Sequence, residues 1–183
     1  MTTIINGSSP SITFSDSTTQ TTAFTGSASQ ITSGTLPSAQ LPTGSVLQVV
    51  QGTTSTGYGT TLTSTPVAIT GLTASITPKF STSKILITVS VQGLYFPNGG
   101  ATNDCFQIYL YKNGSNLVTI QGQLGYRGVT SPAYDGGTNY AYLDSPATTS
   151  STTYAIYWSF SNSRSCNIMV GGETCTIQLM EIA

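Results

Sequence analysis

The sequence predicts an all-β protein: an antiparallel β-sandwich head of jelly-roll type over residues 46–183, carried on an extended attachment segment over residues 1–45. Three observations lead there. Charged residues make up 6% of the 183 residues, against about 25% in an ordinary soluble domain, and 33 Thr with 25 Ser take their place. Thr is β-branched and fits a pleated surface better than a helix. Apolar residues recur with a period of two in run after run, and no stretch has helical periodicity. Composition also breaks near residue 45, dividing the chain into two unlike parts.

From Met1 to Ser45 there is one charge, Asp16, and no Tyr or Cys. The few large apolar residues come in short bursts, Ile4-Ile5 and Ile12-Thr13-Phe14, separated by turn formers such as Asn6-Gly7-Ser8-Ser9-Pro10. Such a stretch cannot bury enough apolar area to offset about 1–2 kcal/mol of backbone entropy per residue. It either stays disordered or borrows its core from other chains, with Ile4, Ile5, Ile12, Phe14 and Phe24 as the anchors for that borrowing. Pro37 and Pro42 then keep the connector extended.

Beyond Val46 the strands follow in order. Leu72, Ala74 and Ile76 alternate with polar residues, and Ile85, Ile87, Val89 and Val91 line one face of the next run. Phe106, Ile108 and Leu110 repeat the pattern up to Asn113-Gly114, a type I′ hairpin signal, and the chain returns through Leu117–Ile120. Further strands are expected at 138–144, 152–160, 165–170 and 174–182, with Ile156, Trp158 and Phe160 forming the central core layer. Longer connections are expected at 94–104, 122–137 and 145–151, with Tyr134-Asp135-Gly136-Gly137 and Asp144-Ser145-Pro146 as turns.

Several functions are disfavoured. Five Lys and Arg, none before Lys79, make no basic patch for nucleic acid. The longest apolar runs are strand-sized, too short to span a bilayer, and no signal peptide is expected. With no His, neither a His-dependent triad nor a zinc site is expected. No cofactor or metal is expected, and the head carboxylates (Asp104, Asp135, Asp144, Glu173 and Glu181) do not suggest a glycosidase pair. Cys105, Cys166 and Cys175 read as buried thiols, although Cys166 and Cys175 could also be bridged across a hairpin.

Three segments carry a resemblance. Ile12-Thr-Phe-Ser-Asp16-Ser17-Thr-Thr-Gln-Thr-Thr-Ala23 resembles a motif near the attachment regions of phage tail-fibre proteins, particularly of marine and cyanobacterial phages. There the Asp is usually followed by Gly, where this chain has Ser17. Gln30–Val50 is similar to the connector before many fibre heads, and Thr70–Pro78 with Ser81–Ile87 looks like the opening of a head domain. The resemblance covers about half the chain. It implies a homotrimeric virion component with no catalytic residues, docked to other phage structural proteins of tail, baseplate or capsid.

Nine of the ten Tyr follow residue 94. Tyr95, Tyr126, Tyr134 and Tyr140, with Arg127, Asp135 and Asn139, are the candidate receptor residues, because rings and polar groups together suit a host surface glycan. Burial of these rings at the core or at protomer interfaces is the simpler alternative. Two roles are therefore expected to compete: adhesion by a displayed head, and purely architectural decoration of the capsid or baseplate.

Overall fold

The computed structural model describes residues 4–6, 11–13, 17, 19–20, 41–97, 104–126 and 133–183. The chain divides into two units, Met1–Gln40 and Leu41–Ala183.

In the first unit, β1 (Ile4–Asn6), β2 (Ser11–Thr13) and β3 (Thr19–Gln20) form an antiparallel sheet in that order, with Ile5 opposite Ile12 and Ile12 opposite Gln20. Ser17 adopts φ 68°, the left-handed conformation its glycine counterpart would take without strain. Phe14 and Phe24 lie outside the described residues.

The second unit is built from β4 (Val46–Thr54), β5 (Tyr58–Leu62), β6 (Val67–Ile76), β7 (Lys84–Phe96), β8 (Phe106–Lys112), β9 (Ser115–Leu124), β10 (Tyr134–Asp144), β11 (Thr152–Phe160), β12 (Arg164–Ile168) and β13 (Cys175–Ile182). No helix occurs among the described residues. Strand β10 runs along one edge of β7 from Ile85 to Phe96. On the other edge β13 covers Lys84–Ser90 and β12 meets Tyr95 through Asn167. Strands β12 and β13 thus act as one interrupted lane, and β5 and β4, which pair with them in turn, as another.

Counting each interrupted pair as one lane gives eight lanes in two sheets. The first sheet reads β4/β5, β13/β12, β7, β10, and the second β6, β11, β8, β9. In chain order these are lanes 1-8-3-6 and 2-7-4-5, the two interlocked Greek keys of a jelly roll. The sandwich expected from sequence is the observed fold.

Alternation decides which residues lie between the sheets. Ile85, Ile87 and Val91 of β7 and Ile177 and Leu179 of β13 face Phe106, Ile108 and Leu110 of β8 and Ile156, Trp158 and Phe160 of β11. All are fully buried, each contributing about 1.5–3 kcal/mol for the larger side chains. Phe106 and Trp158 lie parallel with centroids 6.0 Å apart, and Phe160 meets Phe96 edge-on at 5.0 Å. The β8–β9 hairpin turns at Asn113 (φ 49°) and Gly114 (φ 80°), as the Asn-Gly pair requires. Asn113 also exchanges hydrogen bonds with the Thr153 backbone, tying the hairpin tip to β11.

Three expectations are corrected. Tyr134–Gly137 is the start of β10, not a turn, and β9 continues to Leu124, so the connection between them shrinks to residues 125–133. The cause is a bulge in β7, where Gln92 and Gly93 stand opposite Gly137. Gly93 takes φ 61°, and a Cβ there would lie 2.8 Å from Met169 Cα. Asp144 ends β10 but is no turn residue: it is 6% exposed, pairs with Lys112 Nζ at 2.9 Å, and accepts the Tyr154 hydroxyl at 2.6 Å. Cys166 and Cys175 do not face each other across a hairpin, because β12 and β13 lie end to end beside β7. All three cysteines are free and buried, and burial pushes the Cys166 thiol up to about 12.

Glu181 is fully buried at the end of β13. Gln48 Nε2 donates to it at 2.5 Å and the Lys79 amide at 2.7 Å. Burial pushes this carboxyl up, and the surrounding donors outweigh that and hold it below the usual carboxylate value. A depressed folded value means that ionised Glu181 stabilises the fold above the unfolded-state value of about 4.3, and that this contribution fades as pH falls through the folded one. Glu181→Gln is therefore expected to lower the melting temperature near neutrality, with the gap to the native chain closing on acidification. Thermal unfolding scans from about pH 7 to about pH 3 check the sign.

Candidate functional site

The jelly roll offers two broad outward faces, one on each sheet, and the sequence-predicted receptor residues fall mostly on or behind the first. Tyr95 points outward from β7, with Asp135 opposite it on β10 and Asn167 opposite it on β12. Asn139 is exposed on the same face, within 3.5 Å of the Gln92 amide. Tyr126, at 44% exposure, lies in the connection after β9. Tyr134 and Tyr140 turn the other way. The Tyr134 ring stacks on Phe96 at 5.6 Å, and burial, with the Asp135 charge, raises its phenol. Tyr140 packs against the core between the sheets. Arg127 lies outside the described residues. Tyr95 and Asp135 are thus brought together, and Tyr134 and Tyr140 are placed as core cover.

A denser aromatic group, unanticipated from sequence, occupies the outward face of the second sheet. Tyr109 and Tyr111 of β8 and Tyr157 of β11 all project there, because their strand neighbours Ile108, Leu110, Ile156 and Trp158 face the core. Tyr111 and Tyr157 stack at 3.9 Å with their planes 14° apart. Tyr109 stands at 88° to Tyr111. Its hydroxyl reaches along the strand to Gln107 Oε1 at 3.1 Å and Ser159 Oγ at 3.2 Å, and Ser159 also donates to Gln107 at 2.8 Å. The three rings therefore form a corner whose orientation is held before any ligand arrives. The residues registered opposite them are Ala68 on β6, Ala155 on β11, and Asn116 and Thr119 on β9, all uncharged. The sequence signal was the alternation Gln107, Tyr109, Tyr111, but nothing local says that β11 lies alongside.

The first sheet's outward face carries a different feature. Register aligns Val49, Met180, Leu86 and Leu143 in one row across all four lanes. Val49 is 52% and Leu143 50% exposed, and Val46 and Ile182 extend the patch. Lys84 sits at one end of this face and Asp135 near the other. Among the described residues no charged residue is registered on this face of the strands between them, and Glu173 lies beside Gly93 at the break between β12 and β13.

No protein-family model matches the chain, and no curated protein does. Among solved structures it is similar to that of the infectious bursal disease virus Gt strain, at 13% identity and TM-score 0.37 over 74% of this chain and 38% of that one. The VP2 subviral particle of the same virus matches at 16% identity and TM-score 0.37, over 74% and 37%. The chain spans less than two fifths of the length of either protein. At such remoteness the likeness adds nothing to what the strand order establishes.

The head carboxylates are largely committed to structure. Asp104 is 1% exposed, pairs with Arg164 and accepts Asn162 Nδ2 at 2.7 Å. Asp144 and Glu181 hold the contacts described above, and Glu173 accepts the Gly171 amide at 2.8 Å. Among the described residues no cluster of His, Cys, Asp and Glu has the makings of a metal site. The chemistry on offer is that of surfaces: stacking rings, hydroxyls and amides on one face, and aliphatic contact on the other.

Proposed function

We propose that this chain is a virion structural protein: a protomer of a homotrimeric phage fibre that docks to the particle through residues 1–45 and displays the sandwich as a head for host-surface glycan adhesion. The observation that carries this reading is the nearly charge-free apolar row Val49–Met180–Leu86–Leu143 on an open sheet face. Contiguous exposed apolar surface on a soluble domain marks an interaction site. A second copy is the occupant that fits, because a face with so few charges, of mixed sign, repels its own kind weakly, and the whole chain has net charge -1.

In this reading Ile4, Ile5, Ile12, Phe14 and Phe24 engage the docking surface or symmetry mates, and Tyr95, Asp135, Asn139, Tyr126 and Arg127 belong to the host-facing rim. Tyr134 and Tyr140 support that rim from beneath. The test uses the whole chain. Sedimentation at micromolar concentration is expected to give a trimer, and the purified trimer is expected to compete with the phage for adsorption to host cells. A monomer overturns the fibre reading. A trimer that leaves adsorption unchanged overturns adhesion in favour of architectural decoration.

A further inference from the structure

We infer that the tyrosine corner on the outward face of the second sheet, Tyr109 with the stacked pair Tyr111 and Tyr157, is a binding site for neutral glycans. The inference rests on the adhesion reading above and locates its contact surface away from the rim residues that the sequence singled out.

Three observations converge on it. First, the rings are fixed in two orientations at right angles, so they present a floor and a wall. A pyranose has just such a shape to match, with C–H groups on its flat faces and hydroxyls around its edge. Tyr offers large amphipathic contact area with few rotatable bonds, and prior fixing of those bonds removes an ordering cost that binding would otherwise bear. Second, polar groups border the rings: Gln107 and Ser159 on one side, Asn116 and Thr119 on the other. These are the hydroxyls and amides that exchange hydrogen bonds with sugar hydroxyls in place of water. Third, no charged residue is registered beside the three rings among the described residues, which selects an uncharged sugar over a sialylated or phosphorylated one. Cross-strand stabilisation explains one aromatic pair on a sheet face. It does not explain why the third ring is tethered through its hydroxyl to a Gln–Ser pair one step along the strand.

The experiment is saturation-transfer NMR and calorimetry of the full chain against maltose-, cellobiose- and lactose-series oligosaccharides, with a sialylated lactose as the charged probe. Neutral oligosaccharides are expected to bind with signal transfer from tyrosine ring protons, and the sialylated probe to bind more weakly. Tyr111→Ala and Tyr157→Ala are each expected to weaken binding about tenfold, and Tyr109→Phe, which frees the ring from Gln107 and Ser159, to weaken it less. The sedimentation profile of each variant should match the native chain. Absence of neutral-sugar binding by the native chain overturns the site. So does dissociation of the oligomer in the Tyr111 and Tyr157 variants, which would make the corner a protomer contact. If these variants still compete for host adsorption, the site falls while the adhesion reading stands; if the native chain does not compete, adhesion itself falls.

Discussion

Replacing Asp104 by Ala is expected to cost the sandwich about 3–5 kcal/mol, the usual penalty for removing one partner of a buried ion pair. Asp104 is 1% exposed, and the side chain of its partner Arg164 is 10% exposed. The Arg164 guanidinium also donates to the Pro97 carbonyl and lies 4.9 Å from the centre of the Phe96 ring. Without the carboxylate, that charge remains enclosed with a carbonyl and a ring as company, and Asn162 loses its acceptor. A loss of this size is a large part of a typical domain's stability of about 5–15 kcal/mol. Urea unfolding should show a much lower midpoint at unchanged slope. The double variant Asp104→Ala with Arg164→Met should recover part of the loss, because the unpaired charge goes with the guanidinium. If the single variant unfolds like the native chain, the pair is solvated and contributes nothing.

The second large effect concerns assembly. Val49 and Leu143 stand at opposite ends of the apolar row and are half exposed in one subunit. Lysine at both positions is solvated in a lone subunit, and surface changes of this kind alter stability by about 0.5 kcal/mol or less. In a trimer closed over this face the same changes bury several unpaired ammonium groups, each costing several kcal/mol. Val49→Lys with Leu143→Lys is expected to sediment as a monomer with an unchanged circular dichroism spectrum. Persistence of the trimer would place the protomer contact on another face.

What was legible in the sequence was whatever depends on near neighbours. The period-two runs through Ile85–Val91, Phe106–Leu110 and Ile156–Phe160 located three central strands and their buried faces, because alternation is written within a single strand. Asn113-Gly114 located a hairpin for the same reason. Tyr134–Gly137 was misread because two adjacent glycines signal a turn, whereas here they allow β10 to lie against the bulged edge of β7. The tyrosine corner and the Asp104–Arg164 pair join residues about fifty to sixty positions apart. Such partnerships follow from the order of lanes in the two sheets, which no local pattern contains.

The join between connector and sandwich has a mechanical consequence. Gly44 donates to the Ala183 carbonyl, Ala183 donates to Ser45, and from there β4 runs antiparallel to β13 as far as Thr54 opposite Cys175. A tug applied at Leu41 along the line of β4 would load the rungs of that ladder side by side instead of parting them one after another. Rupture then requires many rungs to fail together, so the grip resists traction far better than peeling.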